Sequence, residues 1–284
     1  MKRALVAIGG IIMFMMSIES AQAAPLVLRF AGQSAVEQGP TITMKKIASE
    51  VANKTNGRVQ MKVYPASQLG DYTLVYEELT RGTIDMAMIS QPSQFDPRMG
   101  LYYINYFVKG YEDLKKVFAP DKWLFKKMED LNGKLGVQLL GFYIEGMIGI
   151  GSIKPVKDVL NPKVDKGILL RVSSITSVVE GARAMGYRTV TIPYSDVYQS
   201  LQTGICDGVD GFPVPAAYSI LGDALKYWYN INFSPECLSV LMSKKTMAKI
   251  SPADQKIIRD ICVKYTNISI SGAKAEDEKY LKLM

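Results

Sequence analysis

The sequence predicts an α/β protein built from two similar lobes joined by a hinge, with a ligand cleft between them. Strands and helices alternate in two stretches of the chain with the same rhythm, which is the mark of parallel sheets with right-handed crossovers. Between the stretches lies Gly141 to Gly151 (GFYIEGMIGIG), apolar and glycine-rich, suited to an extended crossing from one lobe to the other. Lys226 to Phe233 (KYWYNINF) offers the return crossing.

In the first stretch Leu26 to Ala31 reads as a strand. Pro40 to Asn56 reads as a helix, with Pro40 in its first turn, Ile47, Val51 and Ala52 on one face and Gly57 at its end. Val59, Met61 and Val63 alternate as a strand up to Pro65. Asp71 caps a second helix with Leu74, Val75 and Leu79 inward and Gly82 closing it, and Ile84 to Ile89 is the next strand.

The second stretch repeats the pattern. Gly167 to Val172 is a strand, and Ser174 to Met185 a helix with Ile175, Val178, Val179 and Ala182 inward and Gly186 behind it. Thr189 to Ile192 is a strand, and Ser195 to Thr203 a helix ended by Gly204. A last helix starts at Pro252, with Ser251 as its cap and Asp254 at capping-box spacing.

Composition narrows the chemistry. The 284 residues are 48% hydrophobic and 21% charged, which excludes disorder and collagen. The chain has no histidine. Ser-His-Asp and Cys-His nucleophiles and His-containing zinc sites are therefore excluded.

Lys2-Arg3, the apolar run Ala4 to Met16 and the small-residue end Ala21-Gln22-Ala23 match a secretory signal, with cleavage expected after Ala23 and a periplasmic destination. Losing Lys2, Arg3 and Glu19 lowers the formal charge of +7 by one. The excess is spread thinly, alternating with acids over Lys109 to Lys127 and Lys244 to Lys264, as on solvated helix faces; no nucleic-acid partner is expected. Cys206, Cys237 and Cys262 are odd in number and widely spaced, and read as small buried hydrophobes, with one disulfide left open. No cofactor or metal is called for.

Four segments, VYPASQLGDY (Val63 to Tyr72), LTRGTIDMAM (Leu79 to Met88), KGILLRV (Lys166 to Val172) and IPYSDVYQSLQTGICDGVDG (Ile192 to Gly211), resemble in order and spacing the extracytoplasmic solute-binding receptors of TRAP transporters. The resemblance implies a type II periplasmic-binding-protein fold. It implies a receptor that closes on one small organic carboxylate and delivers it to TRAP membrane permease subunits without catalysis; a monomer is expected, with dimerisation left open. Residues 1–23 are then the signal, 24–145 with 232–284 the first lobe and 146–231 the second. Members of that family run on beyond the point where this chain stops at Met284, which implies that a final helix and strand contribution lie outside it.

Arg171 closes a strand just before a helix start carrying Ser173 and Ser174, a setting suited to a bidentate carboxylate, and it falls on that family's carboxylate-binding arginine. The resemblance also implies that Tyr194 packs on the ligand and that the ligand is reached from Asp210, Gly211 and Phe212. Ser90 and Gln91 follow the strand ending at Ile89, and Gln33 and Ser34 follow the first strand; a parallel sheet presents such residues to its crevice.

Two departures stand out. Ile148 replaces a second arginine that many relatives carry on the crossing segment, and Gly211 replaces an asparagine. With Met147, Tyr194 and Phe212, Ile148 would make the pocket favour a monocarboxylate with an apolar or aromatic body. Asp207 and Asp210 read as turn residues; Tyr102, Tyr103, Tyr106, Phe107, Tyr111, Trp123 and Trp228 read as core. The alternatives are a receptor of the same fold serving an ATP-driven importer, and an exported His-free hydrolase using carboxylates or a Ser-Lys pair. Against the hydrolase, no Ser-x-x-Lys begins a helix and no carboxylate pair stands out.

Overall fold

The computed structural model describes residues 24–284; the signal segment and its cleavage point lie outside the described residues. The first unit is βαβαβ as expected: β1 (Leu26–Gly32), α1 (Gly39–Lys54), β2 (Val59–Tyr64), α2 (Tyr72–Arg81) and β3 (Met86–Ile89). Asp71 caps α2, its Oδ1 accepting from the amides of Thr73 (3.1 Å) and Leu74 (3.2 Å), and Gly82 ends it in the left-handed region at φ 79°. Its inward face is Tyr72, Val75, Tyr76 and Leu79; Leu74, expected inward, is exposed because the buried row sits two places before it and one after.

A 3-10 segment (Pro97–Tyr103), α3 (Tyr111–Phe118) and α4 (Trp123–Lys134) lead to β4 (Val137–Ser152), sixteen residues long. The second unit follows as β5 (Leu169–Val172), α5 (Thr176–Ala184), β6 (Arg188–Thr191), α6 (Val197–Gln202) and β7 (Gly208–Pro213). The chain then forms α7 (Val214–Leu221), β8 (Tyr227–Tyr229), β9 (Pro235–Ser243), α8 (Lys244–Met247) and α9 (Pro252–Leu281).

The strands lie in the order β2-β1-β3-β9-β4-β7-β5-β6, with β8 also on β4. The first part of β4 pairs with β9 and its last residues, from Ile148, pair with β7 and β8. One continuous strand thus belongs to both halves, and the crossing expected at Gly141 to Gly151 is this strand. The return runs later than expected. Tyr227–Tyr229 stays in the second half on Ile150–Ser152, and β9, buried at all nine positions, enters the first half. A strand covered on both faces loses the alternation that marks strands in a sequence.

Helix α9 binds the crossing strand through side chains. Thr266 Oγ1 accepts from the amide of Phe142 (3.0 Å), Ser269 Oγ from Ile144 (3.1 Å) and Asp277 Oδ2 from Met147 (2.8 Å). Amides of β4 that would otherwise lack partners are satisfied this way. The approach requires glycine at position 141, where a Cβ would overlap Thr266 Oγ1 and lie 3.1 Å from the Cys262 carbonyl oxygen. Gly141→Ala is expected to cost about 1–3 kcal/mol by overpacking and to lower Tm by several degrees in calorimetry. An unchanged Tm would show that the helix does not hold the strand this closely.

Tyr102 and Tyr103 are core, but Tyr106 and Trp123, also read as core, are 54% and 60% exposed, Trp123 standing on the solvent side of the first turn of α4. Cys206, Cys237 and Cys262 are buried free thiols. Burial pushes the Cys206 and Cys262 thiols up to about 11 and about 12.

Candidate functional site

Strand β5 runs parallel to both β6 and β7, with Arg171 opposite Val190 and Val209. Its side chain is only 2% exposed. Nε donates to the Ile192 carbonyl (3.0 Å), Nη1 to the Asp210 carbonyl (3.2 Å), and the guanidinium lies 5.7 Å from the centre of the Phe212 ring. Phe212 in turn stacks on Tyr194 at 5.2 Å. The arginine is therefore held in one orientation by backbone and aromatic contacts, makes no ion pair among the described residues, and keeps further N–H donors for a ligand. Burial draws its pKa below the ordinary guanidinium value; it remains a cation at neutral pH.

A cavity sits against it, lined by Gln33, Tyr72, Ser90, Tyr103, Glu145, Arg171, Ser173, Ile175, Val178, Tyr194, Gly211, Pro213, Ala216 and Glu236. Its free space is about 20 Å³, close to that of one water. Elements on its two sides are bonded to each other. The Tyr72 hydroxyl meets Ser174 Oγ at 2.5 Å, the Thr176 amide donates to Ser93 Oγ (3.0 Å), and Ser177 Oγ donates to the Gly100 carbonyl (2.7 Å). The free space as it stands holds no solute larger than water.

Gln33 and Ser90 stand at the carboxyl ends of β1 and β3, where a parallel sheet opens its crevice. Gln33 accepts from the Ser90 amide and donates to Ser90 Oγ, both at 2.9 Å, and Ser90 Oγ donates to Glu236 Oε1 (3.0 Å). Tyr103 donates to the same oxygen at 3.2 Å. Gln91 turns the other way: it is wholly buried, donating to Asn132 (2.7 Å) and accepting from Ser239 (3.1 Å), so it does not reach the cavity. Successive residues at a strand end face opposite sides.

The structure brings Gln33, Ser90, Arg171, Tyr194 and Gly211 to one cavity and puts Phe212 and Asp210 directly behind it. Ile148 and Met147 do not line it; both are buried, Ile148 within the main hydrophobic core. The expected apolar pocket is thereby corrected, since the lining carries an arginine, two glutamates and several hydroxyls. Asp210 is also corrected: it lies in β7, not in a turn, and both carboxylate oxygens are buried without a partner. Burial raises it to about 7.

Glu145 and Glu236, with Tyr72 and Tyr103, were not anticipated at the site, whereas Ser173 was expected beside Arg171. Each glutamate is a lone charge in an apolar run, Glu145 in GFYIEGMIGIG and Glu236 in PECLSVLM, and a charge spaced among strand hydrophobes is the signal that marks them. Burial raises Glu145 to about 8, helped by the charges of Glu236 and Asp277, and raises Glu236 to about 7 against the hydrogen bonds from Ser90 and Tyr103. A larger open cleft of about 480 Å³ lies between Tyr218–Trp228 and Leu283–Met284, but its charged residues, Asp223 and Lys226, are exposed. Selective burial of charge belongs to the smaller cavity.

Comparison with known proteins bears on the fold and the family. The protein is similar to a TRAP periplasmic solute-binding protein of Haemophilus influenzae solved with bound L-gulonate, at TM-score 0.83 and 24% identity over 91% of this chain and 84% of that one. It is also similar to one from Sulfurospirillum deleyianum solved with succinate, at TM-score 0.82 and 22% identity over 91% and 83%. Among curated relatives, the C4-dicarboxylate-binding periplasmic protein DctP of Rhodobacter capsulatus is 27% identical over 93% of this chain and 79% of its own length. An uncharacterized protein of Haemophilus influenzae is 30% identical over 73% of this chain, which spans 62% of that relative's length. These likenesses carry the two-lobed periplasmic binding fold. The model of family 7 of the bacterial extracellular solute-binding proteins (DctP) matches residues 31–284, and the chain belongs to that family.

Proposed function

We propose that the protein is the exported receptor of a TRAP transporter, taking up one small organic acid between its lobes and passing it unchanged to membrane permease subunits. The observation that carries the proposal is Arg171: a buried guanidinium, oriented by two carbonyls, beside a cavity and in no ion pair among the described residues. In such a site a carboxylate gains a bidentate, charge-assisted partner away from competing water. The similar proteins solved with L-gulonate and succinate each hold a small organic acid. Residues 24–145 with 232–284 form one lobe and 146–231 the other, residues 1–23 being the export signal. The contacts of Tyr72, Ser93 and Gly100 with Ser174, Thr176 and Ser177 then form the latch of the closed state, and ligand shifts the population towards it.

A thermal-shift screen tests this. Small carboxylic acids are expected to raise Tm, by about 2.7 kcal/mol of stabilisation at a hundred times Kd, while amides of the same carbon skeleton leave it unchanged. Mass spectrometry is expected to recover the bound acid chemically intact. Equal stabilisation by the amides, or conversion of the acid, would overturn the proposal.

A further inference from the structure

The charge around the cavity is unbalanced in a way that an acid alone does not resolve. Arg171 is the only basic residue in its lining, facing Glu145 and Glu236, with Asp210 behind. Glu236 has two hydroxyl donors. Glu145 is more than nine-tenths buried, lines the cavity and has no hydrogen bond or ion pair among the described residues. Burying a carboxylate without a partner is costly, and the cost is removed when a cation or strong donor arrives. An adjoining hollow that shares Glu145 and Ala216 with the cavity is lined by Glu37 and Glu276 and by no lysine or arginine. A ligand of net negative charge meets repulsion there; a net-neutral one does not.

We infer that the natural ligand is a zwitterion, its carboxylate on Arg171 and a protonated amine on Glu145 and Glu236 across the cavity. The inference rests on the receptor reading above and names its substrate class. Arg171 comes from β5 in the second half and the glutamates from β4 and β9, so the two ends of one small molecule would tie the hinge strands to the far side of the cleft. Discrimination against an acid lacking the amine follows from the carboxylate left unpaired.

The test is calorimetric titration with matched sets of amino, hydroxy and unsubstituted carboxylic acids, from alanine, lactate and propionate up to the six-carbon series. At least one amino acid is expected to bind tenfold or more tightly than both its counterparts, about 1.4 kcal/mol. In Glu145→Gln, with Tm confirming that it folds, that preference is expected to fall severalfold, the amino acid losing affinity relative to the unsubstituted acid. Hydroxy or unsubstituted acids binding as well as the amino acid in every set would overturn the zwitterion inference and leave the receptor reading standing. Binding of none of the amino acids would overturn it as well. Neutral solutes binding in place of every acid would overturn the receptor reading itself.

Discussion

Arg171→Ala is expected to lose ligand binding almost completely while the protein stays folded. Removing one partner of a buried charge pair costs about 3–5 kcal/mol, which corresponds to a loss of affinity of roughly a hundred- to several thousandfold. The fold should survive because the arginine makes no internal ion pair and its two backbone acceptors lie at the edge of a cavity that water can enter once the lobes part. Arg171→Lys is expected to rescue little. A lysine is a point charge without the planar fork that here spans the Ile192 and Asp210 carbonyls and still presents donors to a carboxylate. Titration calorimetry on both variants, with Tm as the control for folding, reads the result. Near-normal affinity in Arg171→Ala would remove the arginine from the account.

The second large effect is on stability, and it runs against the usual direction. Asp210 and Glu236 are raised to about 7 and Glu145 to about 8, chiefly by burial. Between the ordinary carboxylate range and those values the folded protein binds more protons than the unfolded chain, so stability is greatest at the acid end of the window and falls as pH rises through it. Each unit of difference is worth about 1.4 kcal/mol, and three such groups make a change of several kcal/mol an order-of-magnitude expectation. Asp96, held down to about 2 by Arg98, acts oppositely but only at the acid end and at the surface. With no histidine in the chain, no imidazole titration obscures the slope. The ligand-free protein is therefore expected to have a higher Tm at pH 5.5 than at pH 8.5, and Asp210→Asn to flatten the difference. A Tm that rises over this range would contradict the burial of these groups.

How much of this was legible depended on whether local signals and tertiary placement agreed. The first βαβαβ unit and the start of the last helix were, because Asp71, Gly82, Ser251 and the alternation of Val59, Met61 and Val63 each act locally. Strand β9 was not, since burial on both faces erases its period, and β7 was hidden by glycines that read as a turn. Within the site, Gln33 and Ser90 followed from their place at strand ends, while the neighbouring Gln91 faces the core, a distinction that register alone decides. Ile148 was expected on the ligand through its position in the crossing segment, but the same strand presents Glu145 instead and sends Ile148 into the core. The glutamates carried a signal, a charge alone among strand hydrophobes, that glycine content in the same run overshadowed.

The most direct test is a crystal structure of the protein with its copurifying small acid bound in the cleft. The ligand carboxylate is expected within about 3 Å of the Arg171 guanidinium nitrogens, with the arginine still held by the Ile192 and Asp210 carbonyls. A ligand seated elsewhere, with Arg171 touching only protein or solvent, would contradict it.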